Sequence, residues 1–295
     1  LKKGEIVSIT EDERMRITQA TRDMSSQALR VLGLAMRPQA SSPEENNLVF
    51  VGLAGMIDPP REEAKEAISV FRRAGVKTVM ITGDHVETAF AIAKQLGIAN
   101  SMNECITGDE LEKMSDEKLG EQCEDLSVFA RVSPTHKVRI VKAFRARGNV
   151  AAMTGDGVND APSLKSADIG IAMGKCGTDV AKNAADIILT DDNFATIEKA
   201  IEEGRGIYEN IKKSVLFLLS SNFGEIITMF LAVSAGLSSP LKASHILWVN
   251  LITDSLPALA LGVDENDGKM LMDKPPRNST ESLFAGGGLF LTLFY

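Results

Sequence analysis

Aromatic side chains are scarce in this chain, 5% of 295 residues, with one Trp and two Tyr. Basic residues are outnumbered, 32 Lys and Arg against 40 Asp and Glu, for a net charge of −8. No basic stripe with interleaved aromatics runs along the sequence, which excludes nucleic acid as a partner. The three cysteines, Cys105, Cys123 and Cys176, lie far apart and without C-x-x-C spacing. They frame neither a disulfide scaffold nor a metal cage, and read as reduced thiols of a cytosolic compartment. No signal peptide opens the chain, and there is no short-period repeat or low-complexity tract. The first residue is Leu1, not Met, so the chain is expected to begin inside a longer protein.

What is present divides in two. The overall shares of hydrophobic (44%) and charged (24%) residues are ordinary for a folded protein. They conceal a mixed, charged stretch up to about Asn210 and a strongly apolar one from Lys213 to Val263. Helical spacing of Ile17, Ala20, Met24 and Ala28 predicts a helix within Glu11 to Leu32. Strands are expected at Arg30–Ala35 and Leu48–Met56, with a loop over Arg37–Asn47. Asp58-Pro59-Pro60-Arg61 then reads as a hinge, or as a plain turn with Pro at a helix start. Beyond it the pattern alternates. Helices are predicted at Glu62–Ala74, Val86–Leu96 (capped by Gly97), Thr135–Arg147, Ala161–Ala167, Thr178–Ala184 and from Phe194 onward. Strands are predicted at Val76–Ile81, Ser127–Arg131, Asn149–Met153, Ile169–Met173 and Asp186–Thr190. Strands alternating with helices imply a parallel sheet with right-handed crossovers.

The most informative string is Met153-Thr154-Gly155-Asp156-Gly157-Val158-Asn159-Asp160-Ala161-Pro162. It follows a strand, where open α/β sheets bind ligands. Asp156 and Asp160 offer hard oxygen ligands suited to Mg²⁺, and Asn159 a donor for a phosphoryl oxygen. Two further segments suit the same chemistry. Thr82-Gly83-Asp84 ends a strand and offers a hydroxyl and a backbone N–H to phosphate. Lys137, in Arg131-Val132-Ser133-Pro134-Thr135-His136-Lys137, offers a point charge for phosphoryl oxygens. Phosphoryl transfer asks mainly for positioning and charge neutralisation. Asp156 is the expected Mg²⁺ ligand, while Asp160 either holds the loop or tunes the metal shell. Each group alone has a plain alternative: Asp84 caps a helix, Lys137 is a solvated helix lysine.

In the apolar half, Val215–Leu237 and Ile246–Val263 are each long enough to cross a bilayer, which takes about 20 residues. Leu283–Tyr295 reads as the start of a third span. Lys212 and Lys213 precede the first span, Lys269, Lys274 and Arg277 follow the second, and only Lys242 lies between, which places both ends of the hairpin in the cytosol. Ionisable and amide groups inside spans point to function. Asn222 and Glu225 share one helical face, as do Asn250, Thr253 and Asp254. Opposed, these faces gather oxygens suited to Ca²⁺. Pro257 and Gly262 loosen the second span so that carbonyls become available. For the two asparagines the alternative is hydrogen-bonded glue between helices.

These strings together resemble the P-type ATPases of the calcium-pump branch (type IIA), most closely the sarco/endoplasmic-reticulum type and its bacterial relatives. The resemblance runs from the end of a nucleotide-binding domain through DPPR, TGD, ARVSPTHK and TGDGVNDAP to two membrane helices similar to the family's fifth and sixth. It implies an α/β fold class, a haloacid-dehalogenase-like Rossmann phosphorylation domain followed by transmembrane α-helices. The implied domains are residues 1–57 (end of the nucleotide-binding domain), 58–206 (phosphorylation domain), 207–263 (membrane hairpin) and 264–295 (cytosolic loop and the start of a further span). It implies nucleotide contacts for Arg30, Asp58, Arg61 and Arg131, catalytic roles for Thr82, Gly83, Asp84, Lys137, Asn159 and Asp160, and a Mg²⁺ ligand in Asp156. Asn222, Glu225, Thr253 and Asp254 match ligands of one calcium site; Asn250 and Asp254 match ligands of the other. ATP, Mg²⁺ and Ca²⁺ are the implied substrate, cofactor and cargo. The other implied partners are a lipid bilayer, which a multi-pass protein spans with its soluble domains in the cytosol, and the remaining segments of the same pump. The family's nucleophile, the Asp of a DKTGT motif, is absent from this sequence, so this piece alone is expected to be inactive. A Mn²⁺ or Na⁺ pump, a membrane-tethered phosphatase of the same fold and a non-catalytic membrane protein are the competing readings.

Overall fold

The computed structural model describes residues 6–27, 29–37, 46–56, 59–266, 268–277, 281–285 and 288. They fall into two compact units, drawn from Leu1–Ser69 with Lys77–Phe194 and from Val70–Val76 with Ala195–Tyr295.

The first unit opens with α1 (Glu11–Ser25), started by a capping box in which Thr10 and Glu13 satisfy each other's backbone N–H groups. The helix stops short of the predicted Leu32 because the chain turns into β1 (Arg30–Met36). That strand pairs antiparallel with β2 (Val49–Met56), setting Arg30 opposite Met56. The predicted loop over Arg37–Asn47 falls largely outside the described residues, as does Asp58 of the hinge. After Pro59 and Pro60 comes α2 (Glu62–Arg73).

Alternation then produces β3 (Met80–Ile81), α3 (Val86–Leu96), β4 (Cys105–Thr107), α4 (Gly108–Glu112), α5 (Asp116–Gln122), β5 (Val128–Ala130) and α6 (Pro134–Ala146). It continues through β6 (Ala152–Gly155), α7 (Ala161–Ser166), β7 (Ile169–Met173), α8 (Asp179–Ala184) and β8 (Ile187–Leu189). The strands form two three-stranded sheets, β3-β5-β4 and β6-β7-β8, and every pairing is parallel. The parallel α/β reading holds, with trimmed strands. Of the strand predicted at Val76–Ile81, only Met80 and Ile81 join the ladder. The strand predicted at Asn149–Met153 begins at Ala152, and Val150 is 67% exposed. Residues 98–126, for which no element is predicted, supply β4, α4 and α5.

These unheralded pieces matter to the core. Leu111, Leu119 and Cys123 are fully buried against Phe129 of β5 and Ile140 of α6. Each large side chain so buried stabilises the unit by about 1.5–3 kcal/mol relative to exposure. All of β5 is buried, which explains its unbroken apolar run. A second cluster joins Val141, Met153, Leu164, Ala172 and Ala181, and Ile81 packs against both clusters.

The second unit is built on α9 (Thr196–Ser234), 39 residues and so about 58 Å long. Among the described residues it is the one helix long and apolar enough to cross a membrane, by length and composition. The second span, predicted as one run over Ile246–Val263, is broken instead. It consists of α10 (Ala243–Trp248), a π-helical turn (Val249–Thr253) and α11 (Ser255–Gly262). Pro257 has no N–H to offer the Thr253 carbonyl four residues back, and Asp254 N–H donates to Val249 O at 2.9 Å, one residue beyond α-helical reach. The third predicted span, Leu283–Tyr295, lies mostly outside the described residues. The segment after α11 carries α12 (Gly268–Met272) and is stapled to α9. Arg205 donates to the carbonyls of Leu271, Lys274 and Ala74, and Asn210 donates to Asp264 O.

Candidate functional site

In the α/β unit the three predicted segments meet through a chain of hydrogen bonds. Thr82 directly follows β3, its N–H donating to Phe129 O. Its hydroxyl donates to Asp84 Oδ2 at 2.9 Å and accepts from Asp84 N–H at 3.1 Å, a turn that fixes the loop on itself. Arg131 N–H donates to Asp84 O and Val132 N–H to Thr82 O, tying this loop to the turn after β5. Arg131 is held there at φ 53, uncommon for a residue with a side chain. Two residues on, Ser133 caps α6, which carries Lys137 one turn in. Lys137 Nζ donates to Asp160 Oδ1 at 2.6 Å, joining α6 to the loop after β6.

Asp160 is 7% exposed and both of its oxygens are engaged. Oδ1 takes Lys137, and Oδ2 accepts the N–H groups of Asp156 and Gly157 at 3.3 and 3.1 Å. Of the two roles expected for it, the geometry is that of the loop holder. Gly155 makes this possible, since a Cβ there would sit 2.5 Å from Asp160 Cβ. Gly155→Ala is expected to lower unfolding free energy by about 1–3 kcal/mol, the cost of overpacking; an unchanged Tm in thermal denaturation would show that the loop has slack.

Asp156 differs from Asp160. Its backbone is pinned at both ends, N–H to Asp160 and C=O to Thr178 N–H at 2.8 Å. Its carboxylate is exposed and takes no hydrogen bond from the described residues. A free carboxylate on a fixed loop, one salt bridge from a lysine, fits a hard divalent cation bound together with phosphate. Asn159 is exposed on the same loop. Of the residues expected at the nucleotide, Arg61 donates from its guanidinium to Asp192 O at 3.3 Å. Arg30 is exposed at the start of β1, and no hydrogen bond or ion pair among the described residues joins it to the phosphoryl loops.

In the second unit, Asp254 is 3% exposed. Its Oδ1 accepts from Ser221 of α9 at 2.9 Å, while Oδ2 is buried without a partner. Glu225 Oε1 is also buried without a partner. Two orphaned carboxylate oxygens in an apolar setting are costly unless a cation or protons meet them. Asn222 donates to Leu218 O on its own helix, leaving its carbonyl oxygen available. Asn250 and Thr253 lie in the π-helical turn and are exposed, whereas Asp254, the next residue after it, is buried. Among the described residues no three acidic, histidine or cysteine side chains come together as a metal site. Ser221 was missed, although it stands four residues before Glu225 and the same-face spacing applies to it.

Residues 11–168 match the haloacid dehalogenase-like hydrolases, and the chain belongs to that family. Residues 238–295 match the C-terminal region of cation transporting ATPases. The chain is similar to calcium-transporting ATPase 1 of Bacillus cereus (strain ATCC 10987 / NRS 248), 60% identical over 99% of the chain and 33% of the relative. It is 53% identical to the calcium-transporting ATPase of Bacillus subtilis (strain 168) over 93% of the chain and 32% of that protein. It is 47% identical to the human calcium-transporting ATPase type 2C member 1 over 95% of the chain and 30% of that protein. The resemblance to P-type calcium pumps, bacterial ones included, is borne out, and the chain spans about a third of the length of these relatives.

Proposed function

We propose that this chain is part of an ATP-driven cation pump that exports Ca²⁺ from the cytosol. The observation that carries the reading is the pair of buried, unpartnered oxygens, Glu225 Oε1 and Asp254 Oδ2, on an apolar helix and the broken segment beside it. Similarity to calcium-transporting ATPases over nearly the whole chain supports the same conclusion.

In this reading residues 58–206 form the phosphorylation domain and 207–263 a membrane hairpin, in a multi-pass protein whose soluble parts face the cytosol. ATP phosphorylates an aspartate supplied by a segment outside this chain. Thr82 and the Gly83 N–H hold the transferred phosphoryl group, Lys137 neutralises its oxygens, and Asn159 adds a donor. Asp84 and Asp160 hold the loops that carry these groups. Arg30, Asp58, Arg61 and Arg131 serve the nucleotide. Asp156 would hold Mg²⁺, which supplies charge neutralisation at the phosphoryl oxygens when bound. Asn222, Glu225, Asn250, Thr253 and Asp254 would form the cation path, with the last two freed from ordinary helical geometry by the π-helical turn. The exposed apolar side chains of α9 and α11, among them Phe230, Leu231 and Leu259, face lipid. Because α9 follows the phosphorylation domain directly in sequence, movement there is transmitted to Glu225.

The full-length protein in vesicles is expected to hydrolyse ATP in response to micromolar Ca²⁺ and to take up ⁴⁵Ca²⁺. Stimulation by Mn²⁺ or Na⁺ with none by Ca²⁺ would reassign the cargo. Hydrolysis indifferent to every cation would favour a phosphatase.

A further inference from the structure

Asp192 lies outside every motif that identifies the phosphoryl site, yet its carboxylate accepts as many hydrogen bonds as that of Asp160. Oδ1 accepts the N–H groups of Gly174 and Lys175 at 2.7 and 2.8 Å, and Oδ2 accepts that of Cys176 at 2.8 Å. Three successive backbone N–H groups aimed at one acid form an anion-binding concavity filled by the protein's own side chain. The Lys175 N–H foremost, with those of Cys176 and Gly174, holds the carboxyl down to about 2, so it is ionised at any physiological pH. Asp192 sits at φ 55, a left-handed conformation that Asp tolerates better than most residues.

The clamped loop leads directly to Asp156. After Cys176, Gly177 packs so closely that a Cβ would stand 2.0 Å from Met173 O. Thr178 follows, and its N–H donates to Asp156 O at 2.8 Å while its side chain caps α8. Arg61 reaches the same clamp from the segment after the two prolines, through Asp192 O. One carboxylate therefore fixes the loop that fixes the backbone of Asp156, and it is itself held from the hinge side.

We propose that Asp192 is a positioning residue for the phosphoryl site: by clamping residues 174–176 it sets the Asp156 carboxylate in place for a divalent cation. This rests on the reading of Asp156 as the Mg²⁺-holding group. Groups that orient a metal's direct ligand typically affect metal affinity by about 10- to 100-fold.

The test is Asp192→Asn in the full-length protein. Asn keeps the size and tolerates positive φ, but its amide nitrogen cannot accept a hydrogen bond. Amide exchange read by mass spectrometry is expected to speed up by about tenfold or more over residues 174–178 and at Asp156 and Gly157. The Mg²⁺ concentration for half-maximal phosphoenzyme formation from ATP is expected to rise about tenfold, with the dependence on ATP unchanged and full formation restored at saturating Mg²⁺. A merely structural defect would not be rescued by Mg²⁺. Wild-type exchange, or faster exchange with an unaltered Mg²⁺ requirement, overturns the inference. If Asp192→Asn does not fold, Asp192→Glu keeps the charge while displacing it, and a wild-type Mg²⁺ requirement in that variant overturns it equally. Asp156→Asn in parallel separates the two claims: normal phosphoenzyme there refutes the role of Asp156, while the exchange result still reports on the clamp.

Discussion

Asp156→Asn in the full-length protein is expected to lower phosphoenzyme formation by about 10²–10³-fold at any Mg²⁺ concentration. Removing one preorganised group that stabilises charge in a transition state costs about 2.7–4 kcal/mol, and each 1.36 kcal/mol is tenfold in rate. The estimate applies here because the Asp156 side chain has no structural duty. Its carboxylate is exposed and accepts nothing from the described residues, while the backbone around it is held by Asp160 and Thr178. Asn fits the same space, so the fold is expected to survive with stability within about 0.5 kcal/mol of wild type. The change therefore isolates the ligand. Quantifying acid-stable phosphoenzyme from radiolabelled ATP, alongside a melting curve, decides the matter. Phosphoenzyme near the wild-type level with an unchanged Tm removes Asp156 from the site and leaves the loop without a metal ligand.

Asp160 provides the contrast that makes this specific. From sequence the two acids of the TGDGVNDAP loop are chemically alike, and both qualify as ligands. In three dimensions one is spent and one is free. The two N–H groups that fill one oxygen of Asp160 are local, but the lysine that takes the other comes from α6, 23 residues away, and is brought there only by folding. Spacing along the chain identifies the loop as a site but does not divide the labour within it.

The same boundary between local and long-range information runs through the rest of the molecule. Capping residues, prolines and helical periodicity are local, so α1, α3 (closed by Gly97 at φ 75), α6 and the parallel character of the sheets were legible, though not their division in two or their strand order. The pieces between residues 98 and 126 were not. Cys105–Thr107 is a three-residue strand, and α4 and α5 are five and seven residues long, too short for a period to declare itself. Their burial under Phe129, not their own propensity, makes them regular. In the apolar half, hydropathy marks the apolar run within α9 but not the interruption of the run over Ile246–Val263. Pro257 points to a loosened helix, and the structure shows a π-helical turn over Val249–Thr253 just before the buried Asp254. Ser221 and Asp192 were invisible for a related reason. Each acts through partners far off in sequence, one at 33 residues for Ser221 and three at 16 to 18 for Asp192.

Asp254→Asn is expected to abolish Ca²⁺-stimulated ATP hydrolysis in the full-length protein while leaving nucleotide binding intact. At an effective dielectric near 20, one unit charge at contact distance from another is worth about 4 kcal/mol. A divalent ion gains more, and desolvation returns part of it. Losing one of two carboxylates is thus expected to weaken Ca²⁺ binding by on the order of 10²–10³-fold. Geometry adds to the charge effect. Oδ1 already accepts the Ser221 hydroxyl, so the buried, unpartnered Oδ2 is the atom free to meet a cation. In the Asn variant an oxygen that keeps the Ser221 bond turns the NH₂ group, a donor, toward the cation. An oxygen that faces the cation leaves the NH₂ to donate to Ser221 Oγ, reversing that bond. Neither rotamer restores the lost charge. Removing a buried charge that lacks a partner also relieves a desolvation penalty, so the folded state is expected to be no less stable, and Tm without Ca²⁺ equal or higher. Loss of calcium response therefore comes without loss of fold, a combination that unfolding cannot mimic. Equilibrium ⁴⁵Ca²⁺ binding and Ca²⁺ titration of hydrolysis read the outcome, and wild-type affinity in Asp254→Asn would show that the orphaned oxygen serves something other than calcium.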